Sequence, residues 1–278
     1  MPQAIVPSPA NPGSRALSRL RRCIAMAAAL ASCALLTACG SVTSTIGPIG
    51  SEVKQASLAQ GGRRSICVAS AFGSYFSVVS MGLTALTTEQ TEVPVESWQT
   101  DDHVRRRVHE LISAGYDVRH LETPAKPFLS LEQSGALFRN ISSERTDLVR
   151  RIVYGERCDY ILVVLRGQSG YGSSGQSLRG IGIVRSGDGL VIDDVYLYAL
   201  GNVYFYENHS FKLLAERKLT SEKSGIFTSI GGPHRKVQKT SWPVPSNAAD
   251  SPAMKTAVHS LLDAALAEVV PEVVNVKP

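Results

Sequence analysis

The chain has 278 residues, of which 44% are hydrophobic and 19% charged, with a formal charge of +5. That composition excludes a disordered or collagen-like polypeptide and leaves enough apolar residues for one sizeable core. The basic excess is confined to one end. Residues 1–38 hold four of the 29 Lys and Arg and none of the 24 Asp and Glu, so the other 240 residues carry 25 against 24, a balance that gives no reason to expect a nucleic-acid partner.

The first signal along the chain is a cluster of Arg15, Arg19, Arg21 and Arg22, followed by an almost wholly apolar run over residues 24–36. Thirteen residues suit the core of a secretion signal and are too few to span a bilayer as a helix. The run ends in Leu36-Thr37-Ala38-Cys39. Charge, apolar run and cysteine in this order resemble the signal of bacterial lipoproteins. The resemblance implies that Cys39 receives a diacylglyceryl group, that the chain is cut before Cys39, and that the new amine is acylated, palmitate being one such chain. Each buried methylene contributes roughly 0.8 kcal/mol, so two or more chains hold the protein stably on a membrane. Gly40 stands where an Asp would, by the family's habit, favour the inner membrane. The outer membrane, periplasmic face, is therefore the expected location, with the inner membrane as the alternative. A plain cleaved signal or an N-terminal membrane helix is the competing reading. Residues 1–14, rich in Pro, Ala and Ser, precede the arginines as an extension.

Cysteine usage fits export. Cys23 and Cys33 leave with the signal and Cys39 is lipidated, which leaves Cys67 and Cys158. An oxidising periplasm permits a disulfide between them, and two buried thiols are the other reading. A bridge requires their Cα atoms to lie within roughly 7 Å, which no spacing in a sequence establishes.

Residues 39–63 are rich in Ser, Gly, Thr and Ala and are expected to form a flexible tether with a root-mean-square reach of roughly 25–30 Å. A single domain is expected over residues 64–270, with a tail over 271–278. Ile66–Ala69 and Tyr75–Val79 read as strands across the turn signal Phe72-Gly73-Ser74, and a hairpin is the natural expectation. Thr100-Asp101-Asp102 starts a helix whose stripe is Val104, Val108, Leu111 and Ile112, with Gly115 expected as a left-handed cap. Tyr116–Leu121 can be a strand. A helix is expected from Ser143 to Glu156 on the stripe Leu148, Val149, Ile152 and Val153. Tyr160–Leu165 is continuous and apolar, as a central strand covered on both faces would be. Ile181–Val184, Leu190–Tyr198, Asn202–Tyr206 and Phe211–Leu219 follow as an antiparallel meander. Segments near 167–180 and 221–250 are expected to be mobile loops. Ser251-Pro252 opens a last helix on Met254, Val258, Leu261, Leu262, Ala265 and Leu266.

This order predicts an α+β (α/β) fold, a mixed sheet with an antiparallel meander packed by about three helices. The order over Ile66–Leu219, with Cys158-Asp159-Tyr160-Ile161-Leu162-Val163 after a helix and a meander ending Phe211-Lys212-Leu213-Leu214-Ala215-Glu216, loosely resembles the amino-terminal domain of TolB and CsgG-like envelope lipoproteins. The resemblance is one of element order, and no functional residue carries over from it.

Several motifs fail on their own mechanics. Gly170-Tyr171-Gly172-Ser173-Ser174-Gly175 spells a dinucleotide fingerprint, but a strand follows where a helix must begin to hold the pyrophosphate. His109-Glu110-Leu111-Ile112-Ser113 starts like a zinc-protease helix, yet Ser113 stands where the second His is needed. Asp101-Asp102 sits in a helix first turn, and neighbours such as Asp193-Asp194 in a strand face opposite ways. Tyr196, Tyr198, Tyr204 and Tyr206 share faces in pairs, as core packing or as an aromatic face that grips a partner. Arg105-Arg106-Arg107 reads as a solvated helix face. No catalytic residue, metal site or cofactor is expected. The expected function is a non-enzymatic binding or accessory module, attached to the membrane through Cys39 and engaging an envelope protein or peptidoglycan. The alternatives are an envelope hydrolase or metal-dependent enzyme with a dispersed site, and a structural homo-oligomer.

Overall fold

The computed structural model describes residues 62–82, 87–133, 140–172, 176–186, 194–220 and 230–275. The signal, Cys39, nearly all of the tether, Asp193, residues 173–175 and 221–229, and the last three residues lie outside them. In chain order the elements are β1 (Ser65–Ala71), β2 (Tyr75–Met81), β3 (Glu89–Pro94), α1 (Thr100–Ile112), β4 (Asp117–His120), α2 (Ala125–Gln133), α3 (Ile141–Ile152), β5 (Tyr160–Arg166), β6 (Gln168–Tyr171), β7 (Gln176–Arg179), β8 (Ile181–Ser186), β9 (Asp194–Ala199), β10 (Gly201–Glu207), β11 (Leu213–Lys218), β12 (His234–Val237) and α4 (Pro252–Val274).

The chain is α+β, and its strands form mixed sheets. The first sheet runs β11-β10-β5-β1-β4 and the second β12-β9-β8-β2-β3, with β6 and β7 as a separate hairpin. β5 is the middle strand of the first sheet, parallel to β1 and antiparallel to β10. Its alternate residues are buried on opposite faces: Leu162 and Val164 in the core that contains α1 and α4, and Ile161, Val163 and Leu165 in the core that contains α2 and α3. A strand so placed meets no water on either face, which is why it reads as an unbroken apolar run.

β1 and β2 are not a hairpin. β1 pairs with β4 and β5 and β2 with β3 and β8, so the chain changes sheets at Phe72-Gly73-Ser74. The meander is likewise shared between the sheets: β8–β9 belongs to the second and β10–β11 to the first, with only Leu200 between β9 and β10. A closed ring of backbone hydrogen bonds holds this corner. Gly167 N–H donates to Leu200 C=O (2.9 Å), Leu200 N–H to Gly180 C=O (2.7 Å), and Gly180 N–H to Gly167 C=O (2.9 Å). Gly180 has φ +59°, a left-handed conformation open to glycine, and a Cβ there would meet Arg166 Nε at 2.7 Å.

Among the described residues, four α-helices pack on the sheets. α1 and α4 share one core with the facing residues of both, including Phe76, Trp98, Val108, Leu197, Phe205, Leu262 and Val270. Trp98 is fully buried and its indole N–H donates to Ala249 C=O at 2.9 Å, so a bulky apolar ring brings its one polar group satisfied. α4 opens on Ser251, whose hydroxyl accepts from Met254 N–H (3.3 Å), with Pro252 at its first position. It continues through Pro271 to Val274, four residues beyond the expected domain end. Val273 and Val274 are buried on the core, and their burial outweighs the one backbone bond that Pro271 removes. Among the described residues, no helix is long and apolar enough to cross a membrane.

α1 begins at Thr100 as expected, but its termini differ in detail. Its N-cap is Gln99, at φ +50°, and no side chain caps it. Gly115 has no positive φ; its N–H donates to Ile112 C=O at 3.0 Å, so the helix ends by tightening its last turn. α3 starts at Ile141, two residues before the expectation, because the Asn140 side chain accepts from Ser143 N–H.

Candidate binding cleft

α2 and α3 cover one face of the first sheet and leave a cleft of about 480 Å³ between them, within the range of ligand-binding sites. Phe128 and Leu131 from α2 and Leu148 and Ile152 from α3 form its apolar floor, and Pro124 and Pro127 also line it. Phe128, Leu131 and Leu148 are buried, and Ile152 is half-buried. Glu144, Asp147 and Arg151 line the α3 side. Asp147 and Arg151 are tied to their own helix: Arg150 donates to Asp147 Oδ1 at 2.7 Å, and Arg151 Nε–H to the Asp147 backbone carbonyl at 3.3 Å. Among the described residues that line the cleft, the one hydroxyl is that of Ser130, which donates to Pro127 C=O at 2.7 Å, and none is a histidine. An apolar floor with a charged rim suits burial of an apolar group and recognition of a polar one beside it, which is binding chemistry.

The structure brings two of the sequence candidates together. Cys67 in β1 and Cys158 before β5 are joined by a disulfide, with Cα atoms 5.7 Å apart. β1 and β5 pair in parallel, Ile66 with Tyr160 and Cys67 with Ile161, and Cys158 stands just before β5, at the end of the pair where β1 begins. Both lie in the core beneath α2 and α3.

The other candidates disperse into structural roles. Asp101 accepts hydrogen bonds from the β1–β2 corner, and Asp102 pairs with Arg105. Arg105 is buried, while Arg106 and Arg107 surround His103 and Asp263 at the α1–α4 contact. His109 meets His120 edge to face at 5.3 Å, and burial, then His109, hold the His120 imidazole below its ordinary pKa. Of the glycine-rich motif, Gly170-Tyr171 lies in β6, which pairs with β7 where a helix would be needed, and residues 173–175 lie outside the described residues. Tyr198, Tyr204 and Tyr206 are buried and Tyr196 is half-buried, as core packing expects. Arg145 lies over the Tyr204 ring at 3.8 Å and donates to the Tyr206 hydroxyl at 3.2 Å, and burial raises the Tyr204 phenol well above its usual range. Among the described residues, no group of three or more His, Cys, Asp or Glu could hold a metal ion.

Two features escaped the sequence reading. Pro127 disguises α2, although as the third residue of the helix it gives up a backbone donor that has no intrahelical partner. The spacing of Phe128 and Leu131 was the available signal. The second is a stack of His103 and His259, rings 3.8 Å apart and 14° from parallel, which joins α1 to α4 across 156 positions of sequence. His103 Nε2 lies 2.8 Å from Asp263 Oδ1 on α4.

No family model matches the chain, and no curated protein matches it. Among solved structures, it is similar to protein XCC0632 of Xanthomonas campestris, of the family DUF330, at 9% identity and TM-score 0.32, over 76% of this chain and 81% of that one. It is also similar to the hypothetical protein CT253 of Chlamydia trachomatis, at 11% identity and TM-score 0.35, over 76% of this chain and 98% of that one. At these identities no residue of this chain takes a role from either.

Proposed function

We propose that this chain is a lipid-anchored envelope protein, held through Cys39 on the periplasmic face of the outer membrane, and that it serves as a non-enzymatic binding module. The observation that carries the reading is the order of the arginine cluster, the apolar run of residues 24–36 and Leu36-Thr37-Ala38-Cys39. The disulfide between Cys67 and Cys158 supports it, because such bonds persist in oxidising compartments. The α2–α3 cleft is the surface that engages an envelope protein or peptidoglycan. Its apolar floor and fixed rim charges suit binding, and a tether of residues 39–63 would raise the local concentration of the domain near its partner.

Growth with labelled palmitate tests the anchor. The label should enter the chain and be lost with Cys39→Ala, which should also leave the protein uncleaved; an unlabelled wild-type chain overturns the anchor. Cross-linking in intact envelopes tests the cleft. Arg151→Glu, which reverses a rim charge without touching the floor, should reduce recovery of the partner severalfold. Unchanged recovery moves the binding surface elsewhere.

A further inference from the structure

We propose that the second sheet continues from one copy of this chain to the next, the outer edge of β3 pairing with the outer edge of β12 of a second copy. Among the described residues, β3 and β12 end this sheet and neither pairs with a further strand. Their charges are opposite. β3 exposes Glu89, Gln90, Thr91 and Glu92, with two acids and no base. β12 is His234-Arg235-Lys236-Val237, with Arg235 and Lys236 exposed and no acid.

Charged side chains on an edge strand ordinarily discourage pairing. Here the discouragement is selective: β3 against β3 brings acids together, β12 against β12 brings bases together, and β3 against β12 brings acid to base. Strand direction agrees. β3 is antiparallel to β2, β2 is parallel to β8, β8 is antiparallel to β9 and β9 is antiparallel to β12. β3 and β12 therefore run in opposite directions, and a second copy set beside the first in the same orientation meets it as an antiparallel pair. Such a head-to-tail contact closes into a ring or extends as a filament.

The faces fix a register. Glu92 is opposite Ser77 and Lys236 opposite Tyr196, and both lie on the sheet face that carries Val79 and Tyr198. Setting Glu92 across from Lys236 of the next copy overlaps the whole of β12 with β3 and sets Thr91 across from Val237. Within each copy Arg166 already bonds Glu92 (3.2 Å), and Lys236 already bonds Asp194 (2.7 Å). The join would thus give a row of four charges, Arg166, Glu92, then Lys236 and Asp194 of the next copy, alternating in sign.

The test uses the full chain in the cells that produce it. Two separately tagged forms, Thr91→Cys and Val237→Cys, are produced together and treated with a short thiol cross-linker. In the proposed register the two positions face one another with Cβ atoms about 5 Å apart. Mixed cross-links should exceed either like pair by about tenfold. Equal yields, no cross-link, or capture of Thr91→Cys only by other proteins overturns the proposal. The purified full chain in detergent gives a second readout. Its mass should be a multiple of the monomer, and Lys236→Glu should raise the concentration needed for association about tenfold while leaving the circular dichroism of the fold intact. A monomeric wild-type chain, or indifference to that substitution, overturns it. Neither readout depends on Cys39, so failure here leaves the anchoring proposal standing.

Discussion

The carboxylate of Asp101, in the first turn of α1, accepts a hydrogen bond from the backbone N–H of Phe72 at 2.7 Å, in the corner where the chain leaves one sheet for the other. The same carboxylate accepts from the Ser70 hydroxyl at 2.6 Å and from Gly73 N–H at 3.3 Å. One side chain therefore satisfies three donors that no strand ladder reaches and fixes α1 to the corner. Asp101→Ala should cost about 2–3 kcal/mol, because the donors lose a charged acceptor. Thermal unfolding should shift down by about 5–10 °C. Asp102→Ala, which removes only a carboxylate paired with Arg105 within the helix, should shift it much less.

The disulfide closes a loop of 91 residues between Cys67 and Cys158. Constraint of so long a loop in the unfolded chain is worth roughly 4 kcal/mol. The double substitution Cys67→Ala with Cys158→Ala should lower the urea midpoint strongly, and reductant should lower that of the wild type while leaving the variant unchanged.

Gly182 lies beneath Tyr198. A Cβ added there would come within 2.4 Å of both the Tyr198 hydroxyl and the Ser77 backbone carbonyl. Tyr198 is fully buried between the second sheet and Leu178 of the β6–β7 hairpin, so the ring has nowhere to move. Gly182→Ala should destabilise by about 1–3 kcal/mol or more, and Gly182→Ala with Tyr198→Phe should recover part of the loss by removing the hydroxyl. Urea titration of both variants measures the recovery. A single variant as stable as the wild type contradicts the packing.

The His103–His259 stack makes stability depend on pH. Burial, then His103 and Lys255, lower the His259 imidazole from 6.5 to about 4, against a smaller opposing effect of Asp263. Above pH 6.5 the ring is neutral in folded and unfolded chains and contributes nothing. As pH falls from 6.5 toward about 4, the unfolded chain takes up a proton that the folded chain refuses, and stability falls across that window. His259→Phe keeps a stacking ring and removes the proton. The urea midpoint of the wild type should therefore drop more between pH 7 and 5 than that of the variant.

Elements whose burial is set by their own residues were legible in advance. β5 is apolar from Tyr160 to Leu165, and α1, α3 and α4 show their stripes at helical spacing. The α2–α3 cleft was not, because Pro127 masked one wall and a cleft exists only once two helices are set side by side. The β1–β2 corner reads as a hairpin in sequence because a three-residue turn is compatible with either outcome. What decides between them is the partner each strand finds, and those partners lie far along the chain: β5 for β1 and β8 for β2.

Residue order alone therefore determined the α+β class and most of the helices and strands, since each depends on apolar length or periodicity within a short window. Only the tertiary structure decided that the strands divide between two sheets, that Cys67 lies beside Cys158, and that His103 stacks on His259. Each of those contacts joins residues about 90 or more positions apart, or follows from pairings at such distances, and the free energy that selects them comes from packing the whole core at once.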